Sequence, residues 1–89
     1  MKLGIYSIKD TKIGFMNPFY QQNDEVALRT FKNACNDTQP TAANINPEDK
    51  ELYKLGTFDD STGEVIGKCE FMATAIECIV RTKPTTKRR

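Results

Sequence analysis

The chain has 89 residues, a net charge of +1 and 38% hydrophobic residues, which suffices for one domain and excludes a second independent core. A chain of this length buries only about 60% of its unfolded surface, so we expect a homodimer that covers the remaining apolar area. It has three cysteines and no histidine, and no two cysteines have the spacing of a zinc or redox pair. We therefore expect buried, reduced thiols, no metal and no cofactor.

The first strands are predicted from alternation. Residues 3–8 place apolar side chains on both faces of a strand, and residues 9–12 interrupt that pattern with turn-forming residues. Residues 13–16 are the expected return strand of a hairpin. Pro18 has no N–H to donate, so it breaks or bends that strand, and the next two residues are expected to be extended.

The most clearly predicted element is a helix at residues 24–36. Asn23 is a suitable N-cap, acidic residues occupy the first turn, and apolar side chains recur at helical spacing. We expect the helix to pack on a sheet through Leu28 and Phe31. The Pro-, Asn- and Thr-containing segment at residues 38–47 is typical of a surface loop.

A second hairpin follows the loop. Residues 52–58 alternate as a strand, residues 59–63 have the composition of a hairpin turn, and residues 64–66 return antiparallel until Gly67 ends or bends the strand. Residues 69–80 fit both a helical face and a β-branched strand, and we favour the strand.

These elements predict an α+β fold, with a mostly antiparallel sheet of about four strands from two hairpins and one main helix on one face. The alternative is a small β-barrel of the single-strand-binding type, which a strand at residues 69–80 would favour. Residues 1–80 are expected to form the domain, and residues 81–89 a flexible tail.

The charge is distributed unevenly. Residues 1–80 carry eight cations and twelve acids, a net charge of −4, whereas residues 81–89 have no acid. A mobile basic end of this kind can bind phosphates by counterion release, or it can serve only to increase solubility. Its cations are Arg81, Lys83, Lys87, Arg88 and Arg89.

Nucleic-acid binding is the function that the residue types support best. Single-strand binders combine cations with aromatic rings on which bases stack, and the first hairpin and its extension contain both. The candidate residues in this region are Tyr6, Lys9, Lys12, Phe15 and Tyr20. Each aromatic residue could instead complete the core, and each lysine could simply be solvated.

The sequence predicts no catalytic residue. Histidine, the commonest general base, is absent. Asp59 and Asp60 could in principle hold a cation but fit a hairpin turn better. No glycine cluster precedes a helix, which excludes a phosphate-binding loop of that type. No apolar run is long enough to cross a membrane and no signal peptide is recognisable, so we expect a cytoplasmic protein.

Three segments, IYSIKD, GFMNPFYQQNDEVALRTFKNA and LYKLGTFDDSTGEV, resemble the small nonstructural protein of gokushovirus-type microviruses, which are phages with single-stranded circular DNA. The likeness covers the first two thirds of the chain and leaves the basic tail outside it. It implies a protein made in the infected bacterium and absent from the virion. It also implies a role in genome replication, at the stage where single-stranded DNA is produced.

Two functions follow from that resemblance. The protein could bind single-stranded DNA through the aromatic and basic hairpin. Alternatively, it could be an adaptor that recruits phage or host replication proteins without touching DNA. An exposed apolar patch, with the hairpin lysines scattered over unrelated faces, would favour the adaptor.

Overall fold

Five antiparallel strands form one sheet in this computed structural model, which describes residues 1–79. The predicted basic tail and the domain boundary at residue 80 lie outside the described residues. The strands are β1 (Lys2–Asp10), β2 (Gly14–Phe15), β3 (Phe19–Gln21), β4 (Lys50–Asp59) and β5 (Val65–Thr74).

The long strands pair in the order β1, β4, β5, and the two short strands share the free edge of β1. β2 pairs with the end of β1 through Lys9 and Phe15, and β3 pairs with its beginning through Ile5 and Tyr20. The break between the short strands contains Pro18, as the sequence predicted. Within residues 1–79, β5 pairs with β4 alone, so the sheet is open and these residues form no closed barrel.

The main helix, α1 (Asp24–Cys35), covers one face of the sheet. Its N-cap is Asn23, whose side chain accepts a hydrogen bond from the Val26 N–H at 2.9 Å. Phe31 is buried and Leu28 packs against the core, so the predicted packing face is confirmed. Among the described residues, no helix has the length and apolar composition needed to span a bilayer.

The loop after α1 contributes to the core, although the sequence predicted only a surface segment. Ala43 is completely buried, and the Thr41 hydroxyl donates to the Ala34 carbonyl at 2.8 Å. The Lys50 ammonium, also buried, donates to the Ile45 carbonyl at 2.6 Å and lies 3.5 Å from Asp10. These polar contacts hold the loop against the end of the sheet.

The prediction for residues 69–80 is wrong in its second half. The strand ends at Thr74, and α2 (Ala75–Cys78) forms one helical turn. Thr74 and Glu77 make a reciprocal capping box that starts this turn in spite of the β-branched residues nearby. Gly67 does not end β5 either, because the strand continues through it with irregular register.

Tyr6 fixes the helix to the sheet. Its side chain is 0% exposed, and its hydroxyl donates to the Asp24 carboxylate at 2.7 Å. The Lys54 ammonium lies 2.9 Å from the same carboxylate oxygen. The hydrogen bond from Tyr6 and then that from Lys54 lower the pKa of Asp24, while burial raises the pKa of Tyr6. Tyr6 therefore lies in the core and has no ring face open to a base in this structure.

Gly4→Ala should destabilise the protein by about 1–3 kcal/mol, because a methyl group there would overlap the buried ring of Tyr6. Gly67→Ala is the matched control, since no atom of the same chain lies within 4 Å of the added atom. Urea denaturation followed by circular dichroism measures both changes. Equal midpoints for the two variants would contradict this account of the packing.

Tyr6→Phe should cost about 1.5–3 kcal/mol, the value of a hydrogen bond to a charged group. Tyr20→Phe, at an exposed tyrosine, should have almost no effect. The free energy of unfolding in urea at pH 7 distinguishes them. A loss of the same size in both variants would show that the Tyr6 hydroxyl has no special role.

The cost of Tyr6→Phe should also depend on pH. Because the folded protein holds the pKa of Asp24 below its usual value of 3.8, the stabilisation is complete above that pH and is lost as the pH falls through the lowered pKa. Urea denaturation of both proteins between pH 2.5 and 7 should show the two curves converging at the acidic end. A constant difference would mean that the charge of Asp24 does not contribute.

Candidate nucleic-acid interface

The face of the sheet opposite α1 carries a group of partly exposed aromatic side chains. Ile8 and Leu52 belong to the core on the helix side. Side chains alternate along a strand, so their neighbours Lys9 and Tyr53 project from the opposite side. We call this uncovered side the open face.

Three rings cross the open face from one strand to another and form what we call the aromatic row: Phe15, Tyr53 and Phe71. Phe15 and Tyr53 meet edge to face with centroids 5.4 Å apart, and Tyr53 and Phe71 meet in the same way at 5.7 Å. Phe15 is 46% exposed and Phe71 is 54% exposed. Large apolar groups left this accessible in a small domain are typical of a binding surface.

Lys9 lies on the aromatic row. Its ammonium is 5.6 Å from the ring centroid of Phe15 and 5.5 Å from that of Tyr53, which is the range of a cation–π interaction. β1 and β2 create this arrangement, since Lys9 and Phe15 are directly paired residues. A cation beside partly exposed rings is the combination that single-strand binders use.

A β-bulge in β5 places Phe71, the third ring of the aromatic row, on the open face. Leu52 is opposite Ala73 and Tyr53 is opposite Phe71, which leaves Met72 as an extra residue in β5. Met72 and Ala73 both pack towards the core, and Phe71 reaches the open face beside Tyr53. Strict alternation would have placed Phe71 and Ala73 on the same side.

A second aromatic pair lies towards the other end of the open face. Tyr20 and Phe58 have centroids 5.9 Å apart, and Tyr20 is 62% exposed. Tyr20 is paired with Ile5 in β1, and directly paired residues project from the same side of a sheet. Ile5 and Lys9 are four residues apart in β1, so Tyr20 and Lys9 lie on the same side. The open face thus offers two separate aromatic platforms.

Charge on the open face is mixed. Glu51 is the residue of β4 opposite Lys9, and the Tyr53 hydroxyl donates to its carboxylate at 3.3 Å. Burial and then the Glu51 charge raise the pKa of Tyr53, so the ring stays neutral at physiological pH. The interface can stack rings and contact a phosphate, and Glu51 limits how much negative charge it tolerates.

The structure brings together only some of the predicted residues. Lys9 and Phe15 meet on the aromatic row and Tyr20 lies on the second platform, whereas Tyr6 is buried in the core. Lys12 lies in the turn after β1, with its ammonium 3.6 Å from Asp49. The five cations of residues 81–89 lie outside the described residues.

Sequence reasoning missed Tyr53, Phe58 and Phe71. Tyr53 was visible in the alternating segment at residues 52–58, on the side opposite Leu52, and it could have been proposed from that pattern. Phe71 depends on the bulge at Met72, for which the sequence gives no clear signal.

The described residues form no group of three or more acidic or cysteine side chains arranged to hold a metal ion. Cys35 and Cys78 are buried while Cys69 is exposed. Burial raises the pKa of Cys35 to about 11, so its thiol stays protonated.

Comparison with known proteins identifies the family. The family model described as phage ORF5 protein matches residues 3–78, which include every strand and helix described above apart from Lys2, the first residue of β1. No curated protein and no solved structure matches the chain. The match covers most of the sequence, and the chain belongs to the phage ORF5 protein family.

Proposed function

We propose that this phage protein binds single-stranded DNA on the open face, without sequence specificity and without catalysing a reaction. The observation that carries the proposal is the aromatic row with the Lys9 ammonium above two of its rings. Single-strand binders commonly combine stacking platforms with a cation that follows the backbone. Double-stranded DNA, whose bases are already stacked, should bind more weakly.

The resemblance to gokushovirus-type microviruses gives this activity a context. A phage with a single-stranded genome needs a protein that coats or hands over the new strand. We assign the protein to that stage of replication, in the cytoplasm of the infected bacterium and outside the virion. The five cations of residues 81–89 would add affinity that depends on salt and not on sequence.

An adaptor for phage or host replication proteins is the second candidate. It is favoured by exposed apolar residues away from the aromatic row: Ile13 is 86% exposed, and Val65 and Ile66 are also accessible. The adaptor was also expected to have its hairpin lysines on faces away from the aromatic rings, and Lys9 instead lies over the ring of Phe15. The two candidates differ in whether DNA alone binds.

Phe15→Ala and Phe71→Ala should each weaken binding to a labelled oligo(dT) by roughly 5- to 150-fold, the effect of about 1–3 kcal/mol per stacked base. Both side chains are substantially exposed, so the fold should persist. Fluorescence anisotropy with single- and double-stranded oligonucleotides at two salt concentrations measures the change. Ile13→Ala is the control for an exposed apolar residue outside the row.

Lys9→Gln separates charge from stacking in the same assay. It should reduce the slope of log K against log salt by about 0.7, the value for one phosphate contact on a single strand. A truncation lacking residues 83–89 reports the contribution of the basic end. Absence of binding at low salt would remove the DNA proposal and leave the adaptor. Binding that neither phenylalanine substitution changes would show that the open face is not the DNA site.

A further inference from the structure

The outer edge of β5 is a long strand edge that no described strand covers. β5 has ten residues, and residues 65–71 are all exposed. Its inner edge pairs with β4, and within residues 1–79 nothing pairs with the outer one. Such an edge presents unpaired N–H and C=O groups and is a template for another strand.

Proteins usually protect such edges with proline, a lysine or a bulge. β5 has no proline, but it contains Lys68 and an extra residue in the stretch opposite Leu55. Lys68 alone would repel another copy of the same strand. However, Glu70 lies two residues further on, with its carboxylate 3.5 Å from the Lys68 ammonium. When two copies of this strand run antiparallel, Lys68 of one copy can therefore lie opposite Glu70 of the other.

We propose that two copies of the chain pair antiparallel through the outer edges of β5, about a two-fold axis at Cys69. In this register Lys68 of each copy faces Glu70 of the other. Phe71 of each copy faces Gly67 of the other, an arrangement in which an aromatic ring covers the backbone of a glycine on the facing strand. Cys69, which is exposed, faces its own counterpart.

Charge selects this register over its neighbours. Moving the axis one residue back places Lys68 opposite Lys68, and moving it one residue forward places Glu70 opposite Glu70. Like charges directly opposite each other destabilise a strand pair, whereas opposite charges stabilise it. The axis at Cys69 is the register that forms two ion pairs, with the irregular stretch at residues 68–69 at its centre.

A second copy suits this edge better than an unrelated strand because both requirements, a free edge and the complementary charge order, are met by the same segment. The pairing also has a geometric result. Two-fold axes that relate antiparallel strands are perpendicular to the sheet, so the open faces of both copies lie on one side. The two aromatic rows then continue into each other through Phe71. The pairing itself does not depend on whether that surface binds DNA.

The experiment measures association of the full chain by sedimentation at tens of micromolar. The expected mass is twice the 10.1 kDa of one chain. Lys68→Glu should weaken association at least tenfold, because the introduced carboxylate would face Glu70 twice in each dimer. The double variant K68E/E70K exchanges the two charges and should restore it. Both side chains are exposed, so folding should not change, and circular dichroism checks this.

A short bismaleimide that bridges two thiols provides a test of position. It should join two wild-type chains through Cys69, and Cys69→Ser should abolish the product because Cys35 and Cys78 are buried. A single species of monomer mass would overturn the proposal. A dimer that K68E leaves intact and that Cys69 does not cross-link would overturn it too, because its interface would lie elsewhere. Both results are independent of the DNA titration.

Discussion

The contact between Tyr6 and Asp24 determines how the two layers of this protein fit together. One ring, buried in the middle of β1, reaches the first residue of α1, and Lys54 approaches the same carboxylate from the neighbouring strand. Gly4 is small because this ring lies over it. The start of the helix is thus tied to the two central strands at once, and the rest of α1 lies across the sheet with Phe31 and Cys35 in the core.

With its position fixed, a helix of twelve residues covers one side of the sheet and leaves the other side uncovered. In a larger protein a second layer would pack there. Here the uncovered side is lined by aromatic residues that cover one another in pairs, and Lys9 shields two of the rings. These contacts remove part of each ring from water, while Phe15 and Phe71 remain about half exposed. The small size of the domain thus leaves uncovered the surface that we propose as the DNA-binding site.

The sequence predicted the fold well where the signal is local. The strands β1 and β4, the proline break before Phe19 and the capped helix at Asp24 all depend on neighbouring residues, and each was found. The errors arose where distant contacts decide. Tyr6 looks like any strand tyrosine until Asp24 is brought to it by the fold. Residues 75–78 had a local helix signal that was overlooked, the capping box of Thr74 and Glu77, but the contact of this turn with Asn36, through the Cys78 carbonyl, is distant in sequence. The last ring of the aromatic row was missed for the same reason, because its side of the sheet depends on the pairing of β5 with β4.

The extra residue at Met72 has a consequence for how such a sequence can change over time. Side chains on the open face could be exchanged one by one with little effect on the core, because they are largely accessible. A change in length is different. Losing Glu70 would close the bulge, turn Phe71 towards α1 and push Met72 into water, whereas losing Met72 itself would leave Phe71 and Ala73 on their present sides of the sheet. This strand should therefore tolerate many substitutions, whereas a deletion should be tolerated only at the extra residue.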